Sequence, residues 1–95
     1  MASGERMEVE IGRVMHYYDH RHVAVLMLKR VLKIGDEIHI HGPAMDFTQQ
    51  VTSMEINHAS VHWAQPGDDV ALEVTAPVHE NDRVYRVVQP ARHPA

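Results

Sequence analysis

Histidine is the residue type in this chain with the most obvious chemistry, since it makes up 9 of the 95 residues. His39 and His41 are two positions apart, and side chains at that spacing in a β-strand point to the same face. Two neutral imidazoles placed in this way could share a metal ion, with His16 or Asp46 as a third ligand. Solvent-facing strand residues produce the same pattern without a metal. The sequence therefore predicts no cofactor, and His39, His41 and His16 are only candidate ligands.

A second group of residues combines aromatic rings with positive charge. Proteins that bind single-stranded nucleic acid use this combination, because bases stack on the rings and phosphates pair with the cations. The same residues would also suit contact with a protein partner. In a third interpretation, a tyrosine packs at the mouth of a barrel and the Lys and Arg residues belong to a solvated turn. The candidate residues for binding nucleic acid or a partner are Tyr17, Tyr18, Arg21, His22, Lys29 and Arg30.

Charge and composition restrict the possible functions. The chain has 9 Lys and Arg against 13 Asp and Glu, a net charge of -4 that opposes tight binding to nucleic acid. Cysteine is absent, which excludes disulfides, thiolate metal sites and cysteine nucleophiles. Ser3, Ser53 and Ser60 are the only serines, and none lies in a Gly-x-Ser-x-Gly motif. We expect a protein that is not an enzyme.

The hydrophobic pattern has a period of two, which is typical of β-strands. Val70, Leu72 and Val74 alternate with polar or small residues, and Ile38 and Ile40 do the same. Gly, Pro, Asn and Asp separate these runs, so the sequence predicts an all-β fold. The predicted strands are residues 8–18, 22–29, 36–42, 46–57, 70–76 and 83–88.

Two predicted strands change phase midway. In the first, Gly12-Arg13 separates two alternating segments, and in the fourth the phase shifts before Met54. Glycine within a strand together with a phase shift indicates a bulge or a corner. Strands that bend in this way favour a small closed barrel.

A short turn motif recurs before the alternating runs. Gly35-Asp36 and Gly67-Asp68 each precede a strand, and Asn81-Asp82 is a looser copy. Glycine or asparagine supplies a positive φ, and the aspartate side chain can accept hydrogen bonds from nearby backbone amides. The motif is a structural device and implies no chemistry.

The chain is short enough to form a single domain, predicted at residues 8–88 between a flexible arm (1–7) and a flexible tail (89–95). The N-terminus has no apolar segment of the kind found in signal peptides. The longest aliphatic run, Val23 to Leu28, is too short to cross a membrane. We therefore expect a cytoplasmic protein without a membrane partner.

The order of these motifs resembles domain 2 of the translational GTPases, the β-barrel that follows the GTP-binding domain in elongation factor Tu. The resemblance rests on Leu32-Lys33-Ile34-Gly35-Asp36 and on Ala64-Gln65-Pro66-Gly67-Asp68-Asp69-Val70. The chain is also similar to the C-terminal barrel of a collagenase-like peptidase family. That second resemblance rests on Gly35 to Ile38, on Gly42-Pro43 and on Asp46-Phe47-Thr48-Gln49.

The first resemblance implies a six-stranded β-barrel and a translation-related accessory module that contacts RNA or a translation-associated protein. The chain has no Gly-x-x-x-x-Gly-Lys-Ser/Thr phosphate loop, so GTPase activity is not expected. A protein adaptor without an RNA role and a histidine-based metal-binding module are the alternatives. The sequence does not predict an oligomeric state.

Overall fold

The computed structural model describes residues 7–88, which form ten β-strands. The predicted tail and the predicted arm, apart from Met7, lie outside these residues. The strands are β1 (Met7–Tyr18), β2 (Val23–Leu28), β3 (Leu32–Lys33), β4 (Glu37–His41), β5 (Asp46–Gln50), β6 (Glu55–Ile56), β7 (Ala59–Ser60), β8 (Trp63–Ala64), β9 (Asp69–Glu73) and β10 (Arg83–Val88). No helix in residues 7–88 could cross a membrane.

Eight of the strands form one sheet, in the order β5-β4-β10-β1-β2-β9-β6-β7. β3 and β8 form a separate two-stranded sheet. The all-β prediction is confirmed, but the closed six-stranded barrel is not found within the described residues. The predicted fourth strand, 46–57, is divided into β5 and β6. The chain leaves the ladder after Gln50, where the backbone N–H of Val51 donates to Asp36 O at 2.9 Å.

One side chain spans the gap between edge strand β5 and the end of β9. The Nε2 of Gln49 donates to the backbone oxygen of Glu73 at 2.8 Å, and the backbone N–H of Thr75 donates to Gln49 Oε1 at 2.8 Å. A side-chain amide thus makes the two hydrogen bonds that a peptide group would make in a strand ladder. It links the two segments where β5 and β9 do not pair directly.

The predicted bend in β1 is present. The register of β1 shifts against β10 between Glu10 and Gly12, and against β2 between Val14 and His16. A Cβ added at Gly12 would lie 2.1 Å from the backbone oxygen of Met27. Glycine is required here because β1 and β2 approach too closely for any side chain.

The recurring turn motif forms the same structure three times. At 33–36, 65–68 and 79–82 the last residue is an aspartate whose backbone N–H donates to the first residue's oxygen at 3.0–3.1 Å. The aspartate carboxylate accepts a second hydrogen bond, 2.9 Å long, from the first residue's N–H. The third residue has a φ of 95°, 93° and 75° in the three turns, as in a type II turn. The predicted role of the motif is confirmed.

The hydrophobic core lies on the inner face of the large sheet. Alternate residues of each strand point inward, so the alternation seen in the sequence corresponds to burial. The largest fully buried side chains are Ile11, Leu26, Leu32, Ile38, Ile40, Met54, Val14, Val51, Val70 and Val84. Burying an aliphatic side chain contributes about 1.5–3 kcal/mol. His39 and His41 alternate with buried Ile38 and Ile40, so these two candidate ligands lie on the outer face.

Candidate functional site

An open cleft lies beside the turn between β1 and β2, and we name it the hairpin cleft. Its volume is about 670 Å³. Half-buried Val23, Val25 and Ala71 supply apolar surface, while Arg21 and Asp69 contribute charged groups. This mixture of apolar surface and oriented polar groups is typical of a binding surface.

Two tyrosines and a histidine from the end of β1 line the same cleft. Tyr17 packs against the core, whereas Tyr18 remains 48% exposed. The ring of His16 lies 4.3 Å from that of Tyr18, and its Nδ1 is 3.6 Å from a carboxylate oxygen of Glu80. Tyr18 therefore offers an exposed aromatic ring whose orientation is restricted by contact with the His16 ring.

A tight hairpin between β6 and β7 also lines the cleft. Its central residues, Asn57 and His58, have φ values of 53° and 66°, as in the type I′ turn that favours two-residue hairpins. The sequence prediction placed Asn57 at the end of a long strand and so missed this hairpin. Asparagine's tolerance of positive φ was the available signal, but the following histidine obscured it.

The structure does not bring all the predicted partner-binding residues together. Tyr17, Tyr18 and Arg21 line the hairpin cleft, while His22 lines a neighbouring depression with Gln49. Lys29 and Arg30 follow the opposite end of β2, so they form no common surface with the cleft.

Lys29 and Arg30, the two basic residues after β2, both contact Glu10. Lys29 Nζ lies 3.4 Å from Glu10 Oε1, and Arg30 Nε donates to the backbone oxygen of Glu10 at 3.2 Å. These contacts suit the alternative that the pair belongs to a solvated turn.

A second cluster lies on the outer face of β4 and β5. His39 and His41 are on the same face of β4, and Asp46 pairs with His41 in the antiparallel register. Ligand atoms of these three residues all lie within 4.8 Å of one another. The third predicted candidate, His16, instead contacts Tyr18 and Glu80 and is not part of the cluster.

Carboxylates surround His39 on both sides. Its Nδ1 lies 2.9 Å from Glu8 Oε1, and its Nε2 makes a short hydrogen bond with Asp46. The hydrogen bond to Glu8 raises the pKa of His39 above 6.5, with help from Asp46 and against the effect of partial burial. Hydrogen bonds from His39 and then His41 lower the pKa of Asp46 below 3.8.

Glu8 is the member of this cluster that the sequence analysis missed. It is 31 residues from His39 in the chain. The two meet because β10 pairs with both β1 and β4, so that Glu8 reaches across β10 on the outer face. No local motif could have indicated this contact.

Comparison with known proteins shows similarity to a protease. The chain is 42% identical over 79 residues to an uncharacterised protease of Methanocaldococcus jannaschii, and the match covers 82% of this chain. The chain spans only 19% of that curated relative's length. No protein-family model matches the sequence.

The fold is similar to two solved structures of one bacterial domain, the C-terminal domain of a predicted U32 peptidase from Geobacillus thermoleovorans. The selenomethionine variant has a TM-score of 0.77 at 22% identity and covers 80% of this chain and 96% of that chain. The second structure has a TM-score of 0.76 at 22% identity and covers 80% of this chain and 89% of that one.

These similarities correct the functional prediction. The translation-related, RNA-contacting interpretation drawn from elongation factor Tu is wrong, since the relative that matches at 42% identity is named as a protease. The turn and strand motifs that suggested it describe a shape shared by barrels of different function. The resemblance to the C-terminal barrel of a peptidase family is the one that the comparisons support: the chain is similar in sequence to part of a protease and in fold to a peptidase's C-terminal domain.

Proposed function

We propose that this chain is a non-catalytic β domain that works with a peptidase catalytic domain of the U32 type. The observation that carries the proposal is the 42% identity over 79 residues to a segment that makes up 19% of a protease. A segment of that size leaves four-fifths of the relative for the catalytic machinery. The fold similarity to a peptidase's C-terminal domain supports the same assignment.

The side chains of residues 7–88 also favour a binding role. Ser53 and Ser60 make no hydrogen bond to an imidazole within the described residues, so neither is arranged as an activated nucleophile. Exposed Tyr18 and Arg21 lie instead at the rim of an open cleft. Such a surface suits contact with another domain better than the enclosure of a reacting bond.

The hairpin cleft is the proposed contact surface for the catalytic domain. Tyr18 offers a large exposed ring, and Arg21 offers a guanidinium at the same rim. Tyrosine and arginine are enriched at the centres of protein interfaces because each buries much surface while keeping a polar group. The apolar floor supplied by Val23 and Val25 gives a partner side chain a place to pack.

A chimeric protease tests the proposal. In the chimera, this chain replaces the matching segment of the M. jannaschii protease. The intact protease and a shortened protease that lacks the segment serve as controls. Hydrolysis of unfolded casein and cooperative thermal unfolding are measured for all three and for the isolated chain. We expect the chimera to exceed the shortened protease in both measurements, and the isolated chain to hydrolyse nothing.

Two pairs of variants locate the contact within the chimera. Tyr18→Ala and Arg21→Glu should reduce hydrolysis, whereas the controls Trp63→Ala and Lys33→Glu should not. Trp63 is 57% exposed and Lys33 is also exposed, and neither lines the hairpin cleft. A chimera no better than the shortened protease would contradict the proposed function, and equal effects of test and control variants would contradict the proposed surface.

A further inference from the structure

The outer face of β4 and β5 gathers three side chains that commonly bind metals. His39 and His41 lie on one face because alternate strand residues point the same way, and Asp46 lies directly opposite His41. All three present a ligand atom within 4.8 Å of the other two. The i, i+2 spacing in the sequence places His39 and His41 together, and the strand register adds Asp46.

The ligand atoms point toward one another and not outward in different directions. His39 Nε2 and His41 Nδ1 both face the carboxylate of Asp46, the latter at 2.7 Å from Oδ2. The two rings lie 6.0 Å apart in an edge-on arrangement. Side chains of His41 and Asp46 are 57% and 55% exposed, so they can rotate to improve the coordination geometry.

Glu8 orients the least exposed ring of the cluster. Both of its carboxylate oxygens lie within 3.1 Å of His39 Nδ1, so Nδ1 is the nitrogen that carries the donated proton. His39 Nε2 shares its proton with Asp46, and a metal ion that replaced this proton would meet the Nε2 lone pair between Asp46 and His41. Histidines that bind metals are usually held in this way, with the second ring nitrogen donating to a carboxylate or carbonyl.

We propose that His39, His41 and Asp46 form a binding site for a divalent transition-metal ion of the zinc type, with Glu8 as the positioning residue. Two imidazoles and a carboxylate suit zinc better than magnesium or calcium, which prefer oxygen ligands. Three protein ligands leave a fourth position for water or a group from a partner. The carboxylates of Glu8 and Asp46 supply local negative charge that attracts a cation.

Zinc titration of the untagged full chain tests this site. The protein is first treated with a chelator, and zinc binding is then measured by calorimetry at neutral pH, with magnesium as the comparison ion. We expect one zinc ion per chain and no comparable binding of magnesium. Cobalt(II) is a second probe, because its visible absorption reports coordination by the protein.

Single substitutions identify the ligands. Glu8→Gln should lower zinc affinity by about 10–100-fold, the range for positioning residues. His41→Gln and Asp46→Asn should each lower it further and abolish the cobalt absorption. His20→Gln is the matched control, because the His20 side chain is 99% exposed and lies outside the cluster. Circular dichroism verifies that each variant is folded.

Several results would overturn the proposal. Wild-type protein that binds no zinc, or that binds several ions weakly, would show that the cluster is only a set of hydrogen-bonded side chains. Undiminished affinity in the His41→Gln and Asp46→Asn variants would do the same. Equal loss in His20→Gln would show that zinc binds surface histidines in general. None of these results depends on the chimeric protease.

Discussion

The Gln49 side chain links β5 to the end of β9, and replacing it tests how much this link stabilises the fold. Its side-chain amide donates to the backbone oxygen of Glu73 and accepts from the backbone N–H of Thr75, both at 2.8 Å. In Gln49→Ala both hydrogen bonds are lost. At about 0.5–1.5 kcal/mol for each bond, unfolding should become about 1–3 kcal/mol easier.

Urea denaturation measures this loss. A domain of this size has an m-value of about 1 kcal/mol/M, so the midpoint should fall by about 1–3 M. Gln50→Ala is the matched control on the same strand. The Gln50 side chain is exposed and makes no side-chain hydrogen bond within residues 7–88 that would be lost, so its effect should stay within about 0.5 kcal/mol.

Gln49→Glu separates the two hydrogen bonds. A carboxylate still accepts from Thr75 but faces the oxygen of Glu73 without a proton to donate. We expect a loss of stability at neutral pH that shrinks on acidification, when the carboxyl becomes protonated. Equal midpoints for Gln49→Ala and Gln50→Ala would refute the role of this side chain in linking the sheet.

Three further predictions concern the turns, the bend and the imidazole cluster. Asp82 is 4% exposed and Asp36 is half-buried, so Asp82→Ala should cost about 1–3 kcal/mol and Asp36→Ala less, as measured by urea denaturation. Reversed costs would contradict the role assigned to burial. Gly12→Ala should lower the thermal midpoint by well over 8 °C, because its Cβ would lie 2.1 Å from a backbone oxygen. A change of only a few degrees would show that β1 and β2 can move apart at a small cost in stability. The pKa of His39 is raised mainly by its hydrogen bond to Glu8, so protonation of His39 stabilises metal-free protein below pH 6.5, and this stabilisation disappears as pH rises through the folded-state pKa. Glu8→Gln should flatten that part of the stability profile, and an unchanged slope in denaturation at several pH values would contradict the assignment.

Local features of the fold could be predicted from the sequence because local physics determines them. The turn at Gly35-Asp36 follows from positive φ and from the reach of an aspartate carboxylate. The bend at Gly12 follows from a phase change around a residue without a side chain. The predicted closed barrel is not found because β5 and β9 do not pair, and a side chain from Gln49 links them instead, which no local pattern encodes.

The candidate sites show the same division between local and non-local information. Tyr17, Tyr18 and Arg21 are close in sequence and do line one cleft. Glu8 reaches His39 only through the pairing of β1 and β4 with β10, which no local pattern encodes.

Function was the least predictable property. The Gly-Asp turn motifs of this chain serve the fold, and a fold leaves the binding surface free to differ. A resemblance carried by turns therefore indicated the all-β class correctly and suggested the wrong function.

Hydrolysis of casein by the chimeric protease shows whether this chain works as a non-catalytic partner of a peptidase catalytic domain. We expect the shortened M. jannaschii protease to lose activity, the chimera carrying this chain to recover it, and the isolated chain to have none. A chimera as inactive as the shortened protease would contradict the claim that this chain works with a peptidase catalytic domain. Hydrolysis by the isolated chain would contradict the claim that the domain is non-catalytic.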